Sequence, residues 1–356
     1  MPRKFDRRLV ERLGLEHPII QAPMAGVSTP ALAAAVCNAG GLGSIAIGAA
    51  GAKAASEAIA ATSAATNRAF NVNLFCHRPA KADPALEAAW LTRLAPEFSR
   101  FGAEPPAAIG EIYTSFLGDE DRLALLLQQR PKVVSFHFGL PSTETIAALK
   151  EAGIFLIATA TSLAEGRVIV AAGIDAVVAQ GFEAGGHRGV FDENGPDAKL
   201  GTLALTRLLA ERLDIPVIAA GGIMDGAGIA AALRLGAAAA QLGTAFIACP
   251  ESAANADFRA ALLSEAAERT IVTRALSGRP ARSLPTRLTE LLQDAAPHDI
   301  PAYPIAYDAA KAIAAAAAKA GQSGYAAQWA GQGAPLARQM PAADLMAALA
   351  REMRAG

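Results

Sequence analysis

The sequence predicts an α/β fold, a TIM (β/α)8 barrel with an inserted α/β cap domain over its C-terminal face. Three observations carry this reading. Eight short apolar runs recur along the 356 residues, amphipathic or Ala-rich stretches fill the gaps, and two longer segments break the rhythm. The runs are HPIIQAPM (17–24), LGSIAI (42–47), FNVNLF (70–75), VVSFHFG (133–139), IFLIATA (154–160), AVVAQG (176–181), PVIAAGG (216–222) and AAAQLGTAF (238–246). Their near-continuous apolar character suits parallel strands covered on both faces. Counting βα units does not separate a closed barrel from a doubly wound open sheet, which stands as the alternative.

Helix signals fall between the runs. Thr29–Ala39 reads as a helix stopped by Gly40-Gly41. Ser142 caps a helix to Ala152, and Ser162 with Glu165 has the capping-box spacing. Asp225 leads into a helix that stops at Gly236. The first interruption, from Phe75 to about Asp121, holds Trp90, Phe98, Phe101 and Tyr113. The second, from about Pro250 to Ala320, holds helical pieces around Phe258–Glu268, a strand-like TIVTRAL and the loop SGRPARSLPTR. Extensions that follow barrel strands lie over the face where such enzymes carry their chemistry. The expected division is therefore a barrel of 1–76, 121–250 and 335–356, and a cap of 77–120 and 251–334. MPAADLMAALAREM (340–353) reads as a closing helix on the barrel.

Composition narrows the class of partner. The chain is 53% hydrophobic and 18% charged with a net charge of −1, so nothing favours nucleic acid or an acidic membrane surface. The basic N-terminal PRKFDRR precedes no apolar segment of signal-peptide type. The longest uncharged run, Leu235–Pro250, is too short for a good membrane span. Cys37, Cys76 and Cys249 show no metal-ligand spacing, which points to a reducing, cytoplasmic setting without disulfides or structural metal. Oligomeric state stays open between monomer and homodimer.

The segment with most chemistry is AQGFEAGGHRGV (179–190), where an apolar strand opens into a glycine-rich loop carrying His187. An ionisable ring at a strand's C-terminal end is where barrel enzymes place catalysis. Two glycine sites follow, AAGGIMDG (219–226) and AQLGTAF (240–246). Loops after the last two barrel strands commonly bind phosphate, with backbone N–H groups and a helix N-terminus facing the anion. Polar residues also punctuate the strands: Gln21, Asn71, Asn73, His137, Gln180 and Gln241. Buried amides and imidazoles need partners. Six around one barrel suggest a planar polar ligand, and a flavin with a phosphate tail matches both clues.

With PIIQAPMAGVSTPALAAAVCNAGGLGSIA, FNVNLF, VSFHFGLP, AQGFEAGGHRG, PVIAAGGI, AQLGTAF, YPIAYDAAK (303–311) and AAQWAGQGAPLAR (326–338), the chain resembles the nitronate monooxygenase family, formerly 2-nitropropane dioxygenases, over nearly its whole length. The GHRG form and the last two segments resemble its class I group. The resemblance implies non-covalent FMN held at Ala22, Pro23, Met24, Asn71, Gln180, Gly185, Gly222, Gln241, Leu242, Gly243 and Thr244. It further implies a substrate pocket of His137, His187, Tyr307 and Lys311, with Tyr113 a looser assignment. The implied reaction oxidises an anionic nitronate by one electron to the flavin, with O2 then giving a carbonyl compound and nitrite or related oxides. His187 would stabilise the nitro group's charge or take an α-proton from a neutral nitroalkane. The alternatives are an NADH:quinone or enoyl-thioester reductase on the same barrel, and a non-catalytic flavin or phosphate binder.

Overall fold

The computed structural model describes residues 6–355. The start of the basic stretch, residues 2–5, and the outermost ends of the expected barrel segments lie outside the described residues. Parallel strands β1 (Ile19–Gln21), β2 (Ser44–Ala46), β3 (Asn71–Phe75), β4 (Val133–His137), β5 (Phe155–Ala160) and β6 (Ala176–Gln180) fall within the first six apolar runs. A short β7 (Gly186–His187) follows, then β8 (Val217–Ala220) and β9 (Ala239–Leu242). The large sheet runs in the order β1-β9-β8-β6-β5-β4-β3-β2. Its two ends meet through a parallel bridge between Ile20 and Leu42, with the N–H of Gln21 donating to the Leu42 carbonyl at 2.9 Å. The barrel is closed by this seam, and the open-sheet alternative falls. Buried Gln21 reinforces it, accepting the Ser44 N–H on Oε1 at 2.8 Å and donating to Ser28 Oγ at 2.9 Å.

The period-two alternation of a strand sorts side chains between two cores. On β6, Val177 and Ala179 face outward into the cluster that includes Leu149, Ile169, Leu205 and Leu209 of the surrounding helices. Ala176 and Val178 face inward with Ile20, Val133, Ile157 and Ile218, where fully buried Leu9 also packs. Toward the strands' C-terminal ends the inward positions turn polar.

Caps fall where the sequence places them. Thr29 accepts the Leu32 N–H, Ser142 that of Thr145 and Asp225 that of Gly228. The box at Ser162 is only half made. Ser162 accepts the Glu165 N–H, but the Glu165 carboxylate reaches the Thr161 N–H and hydroxyl and the Phe191 N–H instead. It therefore ties the end of β5 to the chain after His187. The eighth run stops at Leu242, and Thr244–Ile247 turns helical.

A second sheet joins β10 (Ile271–Thr273), β11 (Ala281–Ser283) and β7, all antiparallel. Trp90, Leu94 and Phe98 of helix Pro84–Arg100 share a buried cluster with Ile305, Ala309 and Ile313 of helix Ile305–Lys319. Helix Ala342–Ala355 packs Leu345, Met346 and Leu349 with residues of helices Pro30–Asn38 and Gly226–Arg234. No helix among the described residues is long and apolar enough to cross a membrane.

The tightest helix-to-strand approach predicts a stability defect. A Cβ on Gly43 would lie 2.0 Å from the Ala33 carbonyl oxygen, a backbone atom that cannot swing aside. Gly43→Ala is expected to cost about 3 kcal/mol, as overpacking at a rigid contact does. Urea denaturation would show it as a lowered midpoint.

Candidate active site

A cavity of about 480 Å³ opens at the C-terminal ends of the barrel strands, within the usual range for a small-molecule site. Its floor carries the inward polar positions: Asn73 of β3, Ser135 and His137 of β4, Thr159 of β5, Gln180 of β6 and Gln241 of β9. Ala22, Pro23, Met24, Gly185, Gly222, Gly243 and Thr244 form one side. Tyr113, Tyr303, Tyr307, Lys311, Trp329 and His187 form the other. Most of the expected site residues thus meet in one place. Two do not line it. Leu242 turns outward into the helix-facing core and contributes only its carbonyl, which accepts the Ala22 N–H at 2.8 Å. Asn71 sits one inward step below Asn73, donating to Ser44 Oγ at 3.2 Å while its buried Oδ1 has no partner.

The loop expected to carry His187 is a short strand instead. His187 pairs with Ala281 and Gly186 with Arg282 across the second sheet. Gln180 fastens this strand to the barrel: Nε2 donates to the His187 carbonyl at 3.0 Å and Oε1 accepts the Gly189 N–H at 2.8 Å. Arg188 points away from the cavity, forked onto Asp197 at 2.9 and 3.0 Å and donating to the Gln180 carbonyl. Arg188 is buried.

Hydrogen bonds fix one imidazole and restrict the other. His137 Nε2 lies 3.2 Å from the His187 carbonyl, which can only accept, so Nε2 carries the proton. Its Nδ1 then accepts from Thr159 Oγ1 at 3.1 Å. His187 Nε2 meets the buried Ser277 hydroxyl at 2.9 Å, and Ser277 Oγ lies 3.2 Å from the Arg279 carbonyl. Burial holds both rings neutral. It pushes His137 down to about 4 and His187 to about 3, the latter also opposed by His137 and Arg279. His77, 1% exposed against Phe138 and Tyr303, is pushed to about 4, again chiefly by burial.

Two cations flank the site. Lys311 is the lone formally charged side chain in the lining. Its Nζ stands 4.7 Å from the Tyr113 ring centre and 5.2 Å from that of Tyr307, a favourable geometry for a cation over aromatic faces. Burial lowers its pKa, with Asp308 acting against that. Buried Arg279 lies behind Phe138, 4.2 Å from the ring centre, and is paired with Glu193 at 2.9 Å. Tyr303 presents a buried hydroxyl without a partner.

The glycine sites supply unpaired backbone donors. Among the described residues, the N–H groups of Gly222, Ile223, Met224 and Gly243 donate to no protein acceptor. Gly221 and Gly222 hold φ of 126° and 69°, open to glycine without strain. The expected helix N-terminus is otherwise engaged, since Asp225 takes the Gly228 N–H and Glu352 that of Gly226. The free donors are therefore loop backbone, a concavity of successive N–H groups of the kind that suits an anion.

Sequence reading left Ser277, Arg279, Phe138, Tyr303 and Trp329 without roles. Tyr303 and Trp329 lie inside YPIAYDAAK and AAQWAGQG, so the sequence singles out their segments, but Tyr303 precedes helix Ile305–Lys319 and no helical spacing links it to Tyr307. Ser277 and Arg279 are separated from His187 by about ninety residues of chain, and no spacing signals that contact.

The depressed imidazoles make stability pH-dependent. The unfolded chain protonates them near pH 6.5 and the folded chain only near 3 to 4. Their contribution is full above 6.5 and is lost as pH falls toward the folded values. His77 alone accounts for up to about 1.4 kcal/mol per pH unit in that window. Urea midpoints at pH 7 and pH 5 should differ, and His77→Gln should flatten the difference. An unchanged slope would exclude His77 as a source.

Comparison with known proteins agrees with this geometry. The family model for nitronate monooxygenase matches residues 6–352. A nitronate monooxygenase from Paraburkholderia phytofirmans is 60% identical over 348 residues, covering 98% of this chain and 95% of the relative. One from Pseudomonas aeruginosa is 56% identical, covering 98% and 99%. The solved structure of nitroalkane oxidase from Streptomyces ansochromogenes superposes with a TM-score of 0.88 at 43% identity over 98% of both chains. FabK from Thermotoga maritima gives 0.75 at 29%, covering 99% and 97%. The chain belongs to the nitronate monooxygenase family.

Proposed function

We propose that the chain catalyses FMN-dependent oxidation of alkyl nitronates, such as propionate 3-nitronate, by O2 to a carbonyl compound plus nitrite or related nitrogen oxides. The observation that carries this reading is the charge distribution in the cavity. Its imidazoles are neutral and Lys311 is its lone formal charge, a cavity suited to one small anion.

FMN, when bound, supplies the electron acceptor and the centre at which O2 is reduced. The free N–H groups of Gly222, Ile223, Met224 and Gly243, with Thr244, would hold its phosphate. Ala22, Pro23, Met24, Gly185 and Gln241 would line the ring system, with Asn73 beside it and the unpaired Asn71 Oδ1 beneath. Gln180 retains one amide hydrogen for the ring after fastening the His187 strand. Leu242 acts through its backbone alone.

Lys311 and Tyr307 would receive the nitronate's carboxylate end. Residues 77–120 and 251–334 would act as the cap that encloses it. Arg279, shielded from water by Phe138, adds a positive field that favours the anion without touching it. The Ser277 hydroxyl, donating to the Arg279 carbonyl, accepts His187 Nε2–H and leaves Nδ1 as a lone pair. In this tautomer His187 removes the α-proton of a neutral nitroalkane, while a nitronate arrives without that proton. Tyr303 offers its unpaired hydroxyl to the nitro group. The three unpaired, buried cysteines support a cytoplasmic setting.

Purified protein should be yellow, and should consume O2 with propionate 3-nitronate faster than it oxidises NADH with a quinone. Colourless protein would remove the flavin assignment, and NADH turnover with inert nitronate would favour the reductase reading. His187→Asn should retain the visible spectrum, lose about 100-fold or more in kcat on neutral nitroethane and keep most nitronate turnover. Ser277→Ala should lose roughly 10-fold on nitroethane with an altered pH profile, because the tautomer is no longer enforced. Equal losses on both substrates would make His187 an anion clamp rather than a base.

A further inference from the structure

A second cavity, of about 390 Å³, lies on the opposite side of β7 from the first and shares Gln180, Ala184 and Gly186 with it. Its wall carries Arg188, Lys199, Arg274 and Arg282, against two carboxylates, Glu193 and Asp197. Both carboxylates are engaged: Asp197 forks onto Arg188, and Glu193 pairs with Arg279 at the other cavity's edge. Among the described residues, Lys199, Arg274 and Arg282 have no carboxylate within 4.0 Å.

Of these three cations, Arg282 is built into the wall, Arg274 is half-buried and Lys199 is exposed at the rim. Arg282 is 4% exposed, held by Nε and Nη2 on the Phe182 carbonyl at 3.3 and 2.8 Å and by Nη1 on Thr270 Oγ1 at 3.2 Å. Three of its five N–H groups are thereby used, leaving two without a protein acceptor. Lys199 adopts φ 51°, a left-handed conformation that costs a lysine energy, and its ammonium stands 5.7 Å from the Phe182 ring centre. The guanidinium of Arg282 stands 5.0 Å from the same ring centre.

We propose that this cavity is a binding site for a small multivalent oxyanion, a phosphate ester or a dicarboxylate, distinct from the flavin and nitronate site. A multivalent anion supplies the missing countercharge, and the cavity is large enough for a compact metabolite. This proposal stands independently of the nitronate reading, because its test is binding and not turnover.

The test is thermal unfolding of the flavin-loaded protein titrated with inorganic phosphate and, separately, with malonate, against sodium chloride of equal ionic strength. Flavin-loaded protein keeps inorganic phosphate away from the glycine cradle. A saturable rise of about 1–3 °C is expected in at least one arm, phosphate alone pointing to a phosphate ester and malonate alone to a dicarboxylate. Lys199→Glu and Arg274→Gln, tested separately, should each weaken the apparent affinity at least 10-fold while keeping the visible spectrum. Two variants guard against one failing to fold. No saturable shift in either arm, or an unchanged titration in both variants, would overturn the proposal.

Discussion

The site depends on one side-chain amide. Gln180 ends barrel strand β6, and its two amide atoms hold the His187 carbonyl and the Gly189 N–H. His137 Nε2–H of β4 reaches the same His187 carbonyl at 3.2 Å, so two barrel strands hold β7. A primary amide is suited to this task because it donates and accepts in one plane, as a backbone unit does. Arg188 closes the same joint from behind by donating to the Gln180 carbonyl, so the strand end is held by both its main chain and its side chain. Rigid placement of this kind lets a half-buried imidazole act without paying for its own ordering.

The barrel interior is graded along its axis. Inward residues near the strands' N-terminal ends are aliphatic and close around Leu9, while those at the other end are amides, hydroxyls and imidazoles. On the cavity floor Asn73 bonds Ser135, and one step deeper Gln21 and Asn71 both bond Ser44. Burial also explains why three imidazoles stand neutral close to one another and to Arg279. Four cations could not share that space, whereas one guanidinium paired with Glu193 can.

Much of this was legible in the chain. The eight apolar runs locate the strands because parallel strands buried on both faces must be apolar throughout. Thr29, Ser142 and Asp225 announce helix starts because their side chains bond locally. The two glycine sites, at 221–222 and 243, mark the backbone that lines the cavity for the same local reason. Barrel closure was not legible, since it rests on the contact of Ile20 with Leu42, which no periodicity encodes. Nor was β7, two residues whose pairing partners lie across the second insertion. Leu242 shows the limit of carrying a motif over whole: its neighbours line the cavity, while strand alternation turns its side chain to the helices.

The His187 imidazole sits on a strand whose ladder partners belong to β11, not to the barrel. The frame that orients this ring is therefore the same insertion that supplies Tyr303, Tyr307, Lys311 and Trp329 to the cavity wall. In many barrels the surrounding insertions are interchangeable trim, and grafts between relatives alter selectivity while the reactive groups stay put. In this chain His187 is coupled to the insertion through Ser277 and Ala281. A graft across 277–283 would displace Ser277 and Ala281 together, so His187 would shift with the wall. Any change of the wall in this stretch therefore carries a change in the pose of the imidazole.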